Sequence, residues 1–262
     1  DAEGNRSARY IWTDADSDGV VDPGERSQIT EYSWDHRNRL TGVTERATEG
    51  GDLTKAVDYL YDTRNRWIGR EADPDGAGTE PSEATRFIYD GNQVLLQFGD
   101  SGQLANRYAY GPAVDQILAD EQVTSTSSAG DIVWPLTDHL NTVRDLAVYD
   151  SQQNETTVAN HRVYGSFGEL VSETTAAIDH LLAFTGRAFD RLSGWQNNTQ
   201  RWFDPMTACF AQEDPISFSA HEANLRRYCV NSPLLLIDSS GLWPKGFGTG
   251  NGNPLDGAGH MD

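Results

Sequence analysis

The sequence predicts a mainly β protein built from consecutive antiparallel hairpins. Three observations lead there. Aromatic and polar residues alternate with period two in several stretches, the spacing of a strand with one face buried. One short pattern returns at a nearly fixed interval, the sign of a repeated supersecondary unit. Glycine is abundant, at 25 residues in 262, and turn dipeptides recur between the apolar stretches.

The recurring pattern is an aromatic, any residue, an aromatic and Asp, often followed by Asn-Arg and an apolar residue. It reads YSWDHRNRLTGVT at 32–44, YLYDTRNRWIGR at 59–70 and, more weakly, FIYDGNQVLLQF at 87–98. Fainter copies stand at 108–118 and 163–173. Asp35, Asp62 and Asp90 are separated by steps of 27 and 28 residues. Asp and Asn bond their own backbone and tolerate left-handed dihedrals, so Asp-x-x-Asn predicts the turn between two strands. The aromatics are then expected to pack against neighbouring hairpins rather than to bind a ligand. Asp90-Gly91-Asn92 and Asp100-Ser101-Gly102 also read as hairpin turns, and residues 72–84 as a surface loop. Helix is scarce. The best short candidate lies around 216–229, with Ser219 as a cap and Glu222 three residues on.

Composition narrows the function classes. The formal charge is −20, which disfavours phosphate backbones and anionic membranes as partners. No apolar run approaches membrane-spanning length. No signal-peptide pattern opens the chain, and its start reads as mid-protein, so a fragment is expected. With 37% hydrophobic residues and a mean hydropathy of −0.60 the chain is polar, yet ten Tyr, nine Phe and seven Trp supply core area. Cys209 and Cys229 make at most one disulfide, and two free thiols are an equal reading. The six histidines show no zinc spacing, and His139 reads as hydrogen-bonded structure.

The densest chemical motif is DADSDGVVDPGE at 14–25. Its acids fall at positions 1, 3, 5, 9 and 12 with Gly at 6, the spacing of an EF-hand-type calcium loop. Asp14, Asp16 and Asp18 would converge on one point. Gly19 would allow the sharp turn, Val20 would offer its carbonyl, and Asp22 and Glu25 would complete an oxygen shell for Ca2+. Pro23 and Gly24 do not suit a following helix, and RYIW and ITEYSW on either side look like strands. The expectation is a structural calcium loop between two strands, of a kind suited to millimolar extracellular calcium.

The repeats resemble the YD repeats of RHS and teneurin-like proteins. PLTDHLNTVRDL at 135–146 is similar to that family's T-D-H-L-G-S-x-R segment, and FTGRAFD at 184–190 to its F-T-G-x-x-x-D segment. RWFDPMTACFAQEDPISF at 201–218 resembles R-Y-Y-D-P-x-T-G-R-F-x-x-x-D-P-I-G-F. NLRRYCVNSPLLLIDSSGL at 224–242 resembles N-L-Y-x-Y-x-x-N-x-P-x-x-x-x-D-P-S-G-L. The resemblance implies three segments. Residues 1–134 would be YD repeats, 135–242 an RHS repeat-associated core, and 243–262 a flexible glycine-rich tail. It further implies part of a curved β-shell, a cocoon closed at one end by the core, with one or two short helices near that core. The partners implied are upstream YD repeats of the same polypeptide and a C-terminal cargo, in a secreted or surface polyprotein.

In RHS and toxin-complex relatives two aspartates act as an intramolecular aspartyl protease. The resemblance carries that role to Asp214 and Asp238, with the scissile bond between Leu242 and Trp243. Two neighbouring carboxyls share a proton, so one can act as base toward water and the other as acid. The sequence departs from the family pattern at Ser217 for Gly, Ser239 for Pro, and Ala208-Cys209 for Gly-Arg. The missing Arg matters most, since a cation beside the pair would tune it. Capped turns are the alternative use of both aspartates. Three functions stand open at this point: a structural shell, a shell that cuts itself once, and an adhesion or carbohydrate-contact module.

Overall fold

The computed structural model describes residues 1–113, 115–217 and 223–246. Thirteen antiparallel strands follow one another in sequence order in one sheet, and a four-stranded and a two-stranded sheet follow. The chain divides into two compact units, Asp1–Ile88 with Gln97–Gln103, and Tyr89–Leu96 with Leu104–Asp262. The division falls inside the stretch read as repeats.

In the first unit the strands are β1 (Ala8–Trp12), β2 (Arg26–Trp34), β3 (Leu40–Thr48), β4 (Leu53–Tyr61), β5 (Trp67–Asp73) and β6 (Glu83–Asp90), with β7 (Gln93–Phe98) beginning in the second. Period-two patterning decides which side chains are buried. The first aromatic of each repeat is inside, with Tyr32, Tyr59 and Phe87 at 6%, 4% and 6% exposure. Trp67 fills the space between two of them, its ring centroid 6.0 Å from Tyr59 and 4.8 Å, edge-on, from Phe87. Leu40, Val43 and Val57 complete this core. Burial of each large apolar side chain contributes about 1.5–3 kcal/mol. The aromatics therefore pack, as their spacing predicts.

The second unit continues with β8 (Leu104–Tyr110), β9 (Ile117–Gln122), β10 (Asp131–Thr137), β11 (Val143–Asp150), β12 (Glu155–Tyr164) and β13 (Leu170–Glu173). The four-stranded sheet comprises β14 (Ala188–Asp190), β15 (Trp195–Asn198), β16 (Arg201–Asp204) and β17 (Cys209–Phe210). β18 (Leu236–Ile237) pairs with β19 (Lys245–Gly246). Phe184, Phe203, Phe210, Tyr228 and Cys229 form a buried cluster, with Phe203 and Tyr228 stacked at 4.2 Å.

One turn closes hairpins at 35–39, 62–66, 99–103, 138–142 and 165–169. In each, the N–H of the first residue donates to the carbonyl of the fifth at 2.8–3.1 Å, and the N–H of the fourth donates back to the carbonyl of the first at 3.0–3.3 Å. The fourth residue always has positive φ: Asn38, Asn65, Gly102, Asn141 and Gly168. This is the three-residue loop in which a left-handed residue makes a bulge and matches the twist of the strands. Asp35 and Asp62 strengthen it identically. Each Oδ1 accepts two backbone N–H groups at 2.8 and 3.0 Å, and each Oδ2 accepts the Nε of the following Arg, Arg39 or Arg66, at 2.7 Å. The Asp90-Gly91-Asn92 copy makes a shorter connection between β6 and β7.

Among the described residues, one-turn 3-10 segments stand at Phe184–Gly186 and Cys229–Asn231, each interrupted by a left-handed residue, and Ser217 also has 3-10 geometry. Within the helix expected at 216–229, Ser219 and Glu222 lie outside the described residues, while 223–228 are non-helical. Both cysteines are free thiols. His139 Nε2 lies 3.3 Å from the Leu234 carbonyl, a structural contact as expected. The tail from residue 247 onward lies outside the described residues. No helix among the described residues is long and apolar enough to cross a membrane, which leaves membrane-crossing strands unaddressed.

Candidate functional site

The β15–β16 hairpin is the base of the site. Its tip, Asn198 to Arg201, grips the segment 238–243 through side chains and backbone alike. Asn198 Nδ2 donates to the Asp238 carbonyl at 2.6 Å, Thr199 Oγ1 to the Ser239 carbonyl at 3.3 Å, and the Gln200 N–H to the Ser240 carbonyl at 3.2 Å. Arg201 Nε donates to the Gly241 carbonyl. Gly241 is required by this fit. It has φ +71, and a Cβ there would stand 2.6 Å from the Asn198 carbonyl oxygen. The segment itself is the loop of a short hairpin, since Leu236 pairs with Gly246 and Ile237 with Lys245.

Arg201 brings the two predicted aspartates together. Its Nη2 lies 3.0 Å from Asp214 Oδ2 and 3.6 Å from Asp238 Oδ2, and all three side chains are buried. Nη1 donates to the Leu225 carbonyl at 2.9 Å, and the guanidinium sits 3.7 Å from the centre of the Phe210 ring. Asp214 Oδ1 accepts the Ile216 N–H at 3.0 Å. Asp238 Oδ1 accepts the Ser240 hydroxyl at 3.2 Å and the N–H groups of Leu242 and Trp243 at 3.1 and 3.3 Å. The nitrogen of the predicted scissile bond is thus a hydrogen-bond donor to one of the predicted catalytic carboxyls. Both aspartates also cap turns, the alternative use of them.

Burial sets the protonation of this trio. It pushes both carboxyls above the usual carboxylate range, and Arg201 only partly offsets it. Burial likewise lowers Arg201. One cation facing two carboxyls that resist ionisation favours a single shared proton. The neighbouring Cys229 thiol is pushed up by burial and then by Asp238, so it is no nucleophile at neutral pH. The expectation that the pair lacks a cation because Cys209 replaces Arg is corrected here: Arg201 supplies the charge from the start of the same motif. Ala208 and Ser217, standing where the family pattern has Gly, keep left-handed φ values of 58° and 52°. Asn141 occupies the glycine position of the T-D-H-L-G-S pattern in the same way.

The acidic loop lies in the first unit, between β1 and β2, as its flanks predict. Thr13 N–H donates to the Glu25 carbonyl at 3.1 Å and closes it. Asp14, Asp16 and Asp18 each offer an oxygen, and these lie within 4.8 Å of one another. A calcium ion with ligands at about 2.3–2.6 Å spans such a set. Asp14 accepts the N–H groups of Asp18 and Gly19, and Asp18 Oδ1 that of Val20. Asp22 and Glu25 stand outside the three-carboxylate cluster. Glu25 accepts the Trp12 indole N–H at 2.9 Å and the N–H groups of Ala15 and Asp22, which hold its carboxyl below the usual range.

No protein-family model matches the chain. Curated relatives do. It is 28% identical over 236 residues to two proteins of Dickeya dadantii (strain 3937), named probable deoxyribonuclease RhsA and RhsB, covering 85% of this chain. The chain is homologous to Rhs proteins. It is also 24% identical, over 82% of its length, to double-stranded DNA deaminase toxin A of Burkholderia cenocepacia (strain H111). The chain spans only 14% of the Dickeya Rhs proteins and 16% of the Burkholderia toxin. Among solved structures, a TcdB2–TccC3 crystal structure matches 92% of the chain with a TM-score of 0.62 at 13% identity, over 13% of that chain. A Tc holotoxin pore of Photorhabdus luminescens matches 85% with a TM-score of 0.63 at 14% identity, over 10% of that chain. These structures share the fold, and the match identifies the antiparallel sheet of this Rhs homologue as the β-shell type.

The sequence singled out Asp214 and Asp238 but missed Arg201. Its signal was a lone cation opening the 201–218 motif that contains Asp214.

Proposed function

We propose that the chain is the terminal part of an RHS β-shell that encloses or presents a C-terminal segment, within a secreted or surface polyprotein. The observation that carries this reading is the grip of the β15–β16 hairpin on 238–243, which fixes the start of whatever follows. Homology to Rhs proteins and the shared fold with TccC3 structures support it. One such structure is of TcdB2–TccC3 without a hypervariable C-terminal region. The DNA-directed names of the relatives belong to proteins far longer than this chain. At a net charge of −20 this segment is the container rather than the DNA-acting part. Upstream repeats of the same polypeptide would extend the sheet. Added protease tests the proposal: in the longer polypeptide, the segment after Leu242 should resist digestion until denaturant opens the wall. Digestion at the rate of a free peptide, with the wall intact, would exclude it.

The second reading is single-turnover self-cleavage, favoured by the Trp243 N–H on Asp238. In it, Asp214, closer to Arg201, is the ionised base and takes a proton from water. The resulting hydroxide attacks the Leu242 carbonyl carbon. Asp238, beside the leaving nitrogen, gives its proton to Trp243 as the C–N bond breaks. The products are a Leu242 carboxylate and a Trp243 amine. The folded chain holds the bond against the pair, so a modest site suffices.

The loop at 14–25 is proposed to bind Ca2+ as a structural staple of the β1–β2 connection. Its three convergent carboxylates support this, and an extracellular setting suits it.

A further inference from the structure

Gln196 and Asn198 stand two residues apart on β15, so their side chains share one face of the strand. Both are buried at 0% exposure, and Asp238 at 2%. Gln196 Nε2 donates to Asn198 Oδ1 at 2.8 Å, and Asn198 Nδ2 donates to the Asp238 carbonyl at 2.6 Å. Two side-chain amides thus run in series from the strand to the backbone of one aspartate of the pair.

The far end of this relay decides its direction. A backbone carbonyl only accepts, so Asn198 must turn its NH2 toward Asp238. Its oxygen then faces Gln196, which must answer with an NH2 of its own. Turned over, the Asn198 amide would set oxygen against the Asp238 carbonyl and NH2 against the NH2 of Gln196. A buried polar group left without its bond costs about 1–3 kcal/mol. Gln196 therefore locks the Asn198 amide in the orientation that holds Asp238.

Asp238 is held on one side and holds the loop on the other. Its Oδ1 accepts the N–H groups of Leu242 and Trp243 at 3.1 and 3.3 Å. Fixing its backbone fixes the root of that carboxyl. Thr199 Oγ1 and the Gln200 N–H take the next two carbonyls, of Ser239 and Ser240. Thr199 is braced in turn by Arg187 Nη2 at 2.9 Å, and Arg187 Nη1 pairs with Asp115 at 2.9 Å. Those contacts hold the loop, while the relay holds the carboxyl. Neither amide carries charge, so the relay acts through geometry alone.

We propose that Gln196 and Asn198 are positioning residues for the Leu242–Trp243 cut, holding the Asp238 carboxyl against the Trp243 N–H. This rests on the self-cleavage reading above. Both act on the Asp238 backbone rather than on the reacting atoms. Gln196 acts through Asn198, so its loss adds nothing once Asn198 is gone.

Gln196→Met and Asn198→Leu remove the hydrogen bonds and nearly keep the shapes. Mass spectrometry after folding gives the rate of the cut, counting folded chains only. Asn198→Leu should slow it about tenfold or more, Gln196→Met by less, and the double variant no further than Asn198→Leu. The pH profile should keep its shape in each. The amide proton resonance of Trp243 reads the geometry separately, in chains kept whole by Asp214→Asn. It should lie downfield with both amides present and move upfield in each variant. Unchanged rates, a displaced pH profile, or a rate that falls while the resonance stays in place would each overturn the proposal. A wild-type chain that is never cut would refute the cleavage reading and with it the role in the cut, whereas cleaved wild type with unaffected variants would refute the positioning role alone. If Asn198→Leu does not fold, Gln196→Met decides the question, because it leaves Asn198 in place.

Discussion

Arg201 Nη2 sits 3.0 Å from Asp214 Oδ2 and 3.6 Å from Asp238 Oδ2, one buried cation between two buried carboxyls. Burial raises both carboxyls, and sharing one proton would leave the trio neutral. Replacing either aspartate by Asn keeps one charge against Arg201, so Asp214→Asn and Asp238→Asn should each shift stability by less than about 1 kcal/mol at neutral pH. The double variant leaves the guanidinium uncompensated and should lose about 3–5 kcal/mol. Urea midpoints of the four proteins give the coupling. Additive losses would show that the carboxyls do not share the cation.

Ala208 and Ser217 occupy left-handed backbone where the family pattern has glycine. A side chain there costs about 1–2 kcal/mol, against the entropy glycine loses on folding. Ala208→Gly and Ser217→Gly should each raise the melting temperature by about 2 °C, a net gain near 0.5–1 kcal/mol. Scanning calorimetry reads this directly. A fall in both would mean that side-chain contacts outweigh backbone strain.

Burial pushes Asp62 up, but the Arg66 side chain and the N–H groups of Arg66 and Arg64 outweigh it and leave its carboxyl below the ordinary value. Asp35 is held in the same way by Arg39 and Arg37. A depressed carboxyl gives stability that is present above the unfolded pKa and lost as pH falls through the folded one. Asp62→Asn should therefore cost about 1 kcal/mol near pH 7, and the gap to wild type should close as pH drops below the ordinary carboxylate range near 4. Urea midpoints at the two pH values check it. A gap that persists in acid would assign the cost to lost turn geometry.

Chelation should lower the melting temperature by a few degrees if the 14–25 loop holds calcium at about ten times its Kd, a gain of about 1.4 kcal/mol. Asp18→Asn should shrink that response. Equal melting with calcium and with chelator would remove the metal from the loop.

Much of the wall was legible because its cause is local. Period-two burial at Tyr32, Tyr59 and Phe87 and the Asp-x-x-Asn turns act within a few residues. The same turn at Asp138-His139-Leu140-Asn141 passed as a family motif, although its spacing is identical. The site was legible only through resemblance. Arg201 meets Asp238 across 37 residues and Gly241 across 40, and no local pattern announces that contact. The Asp115–Arg187 pair spans 72 residues and was invisible for the same reason.

The hairpin's grip on 238–243 and the proposed cut meet in one measurement, the intact mass of the chain after folding, beside that of Asp214→Asn. Cleavage predicts that the wild type loses everything after Leu242, and that the variant keeps it. A wild-type chain that stays whole across the acidic to neutral range, or a variant cut at the same bond, would contradict it.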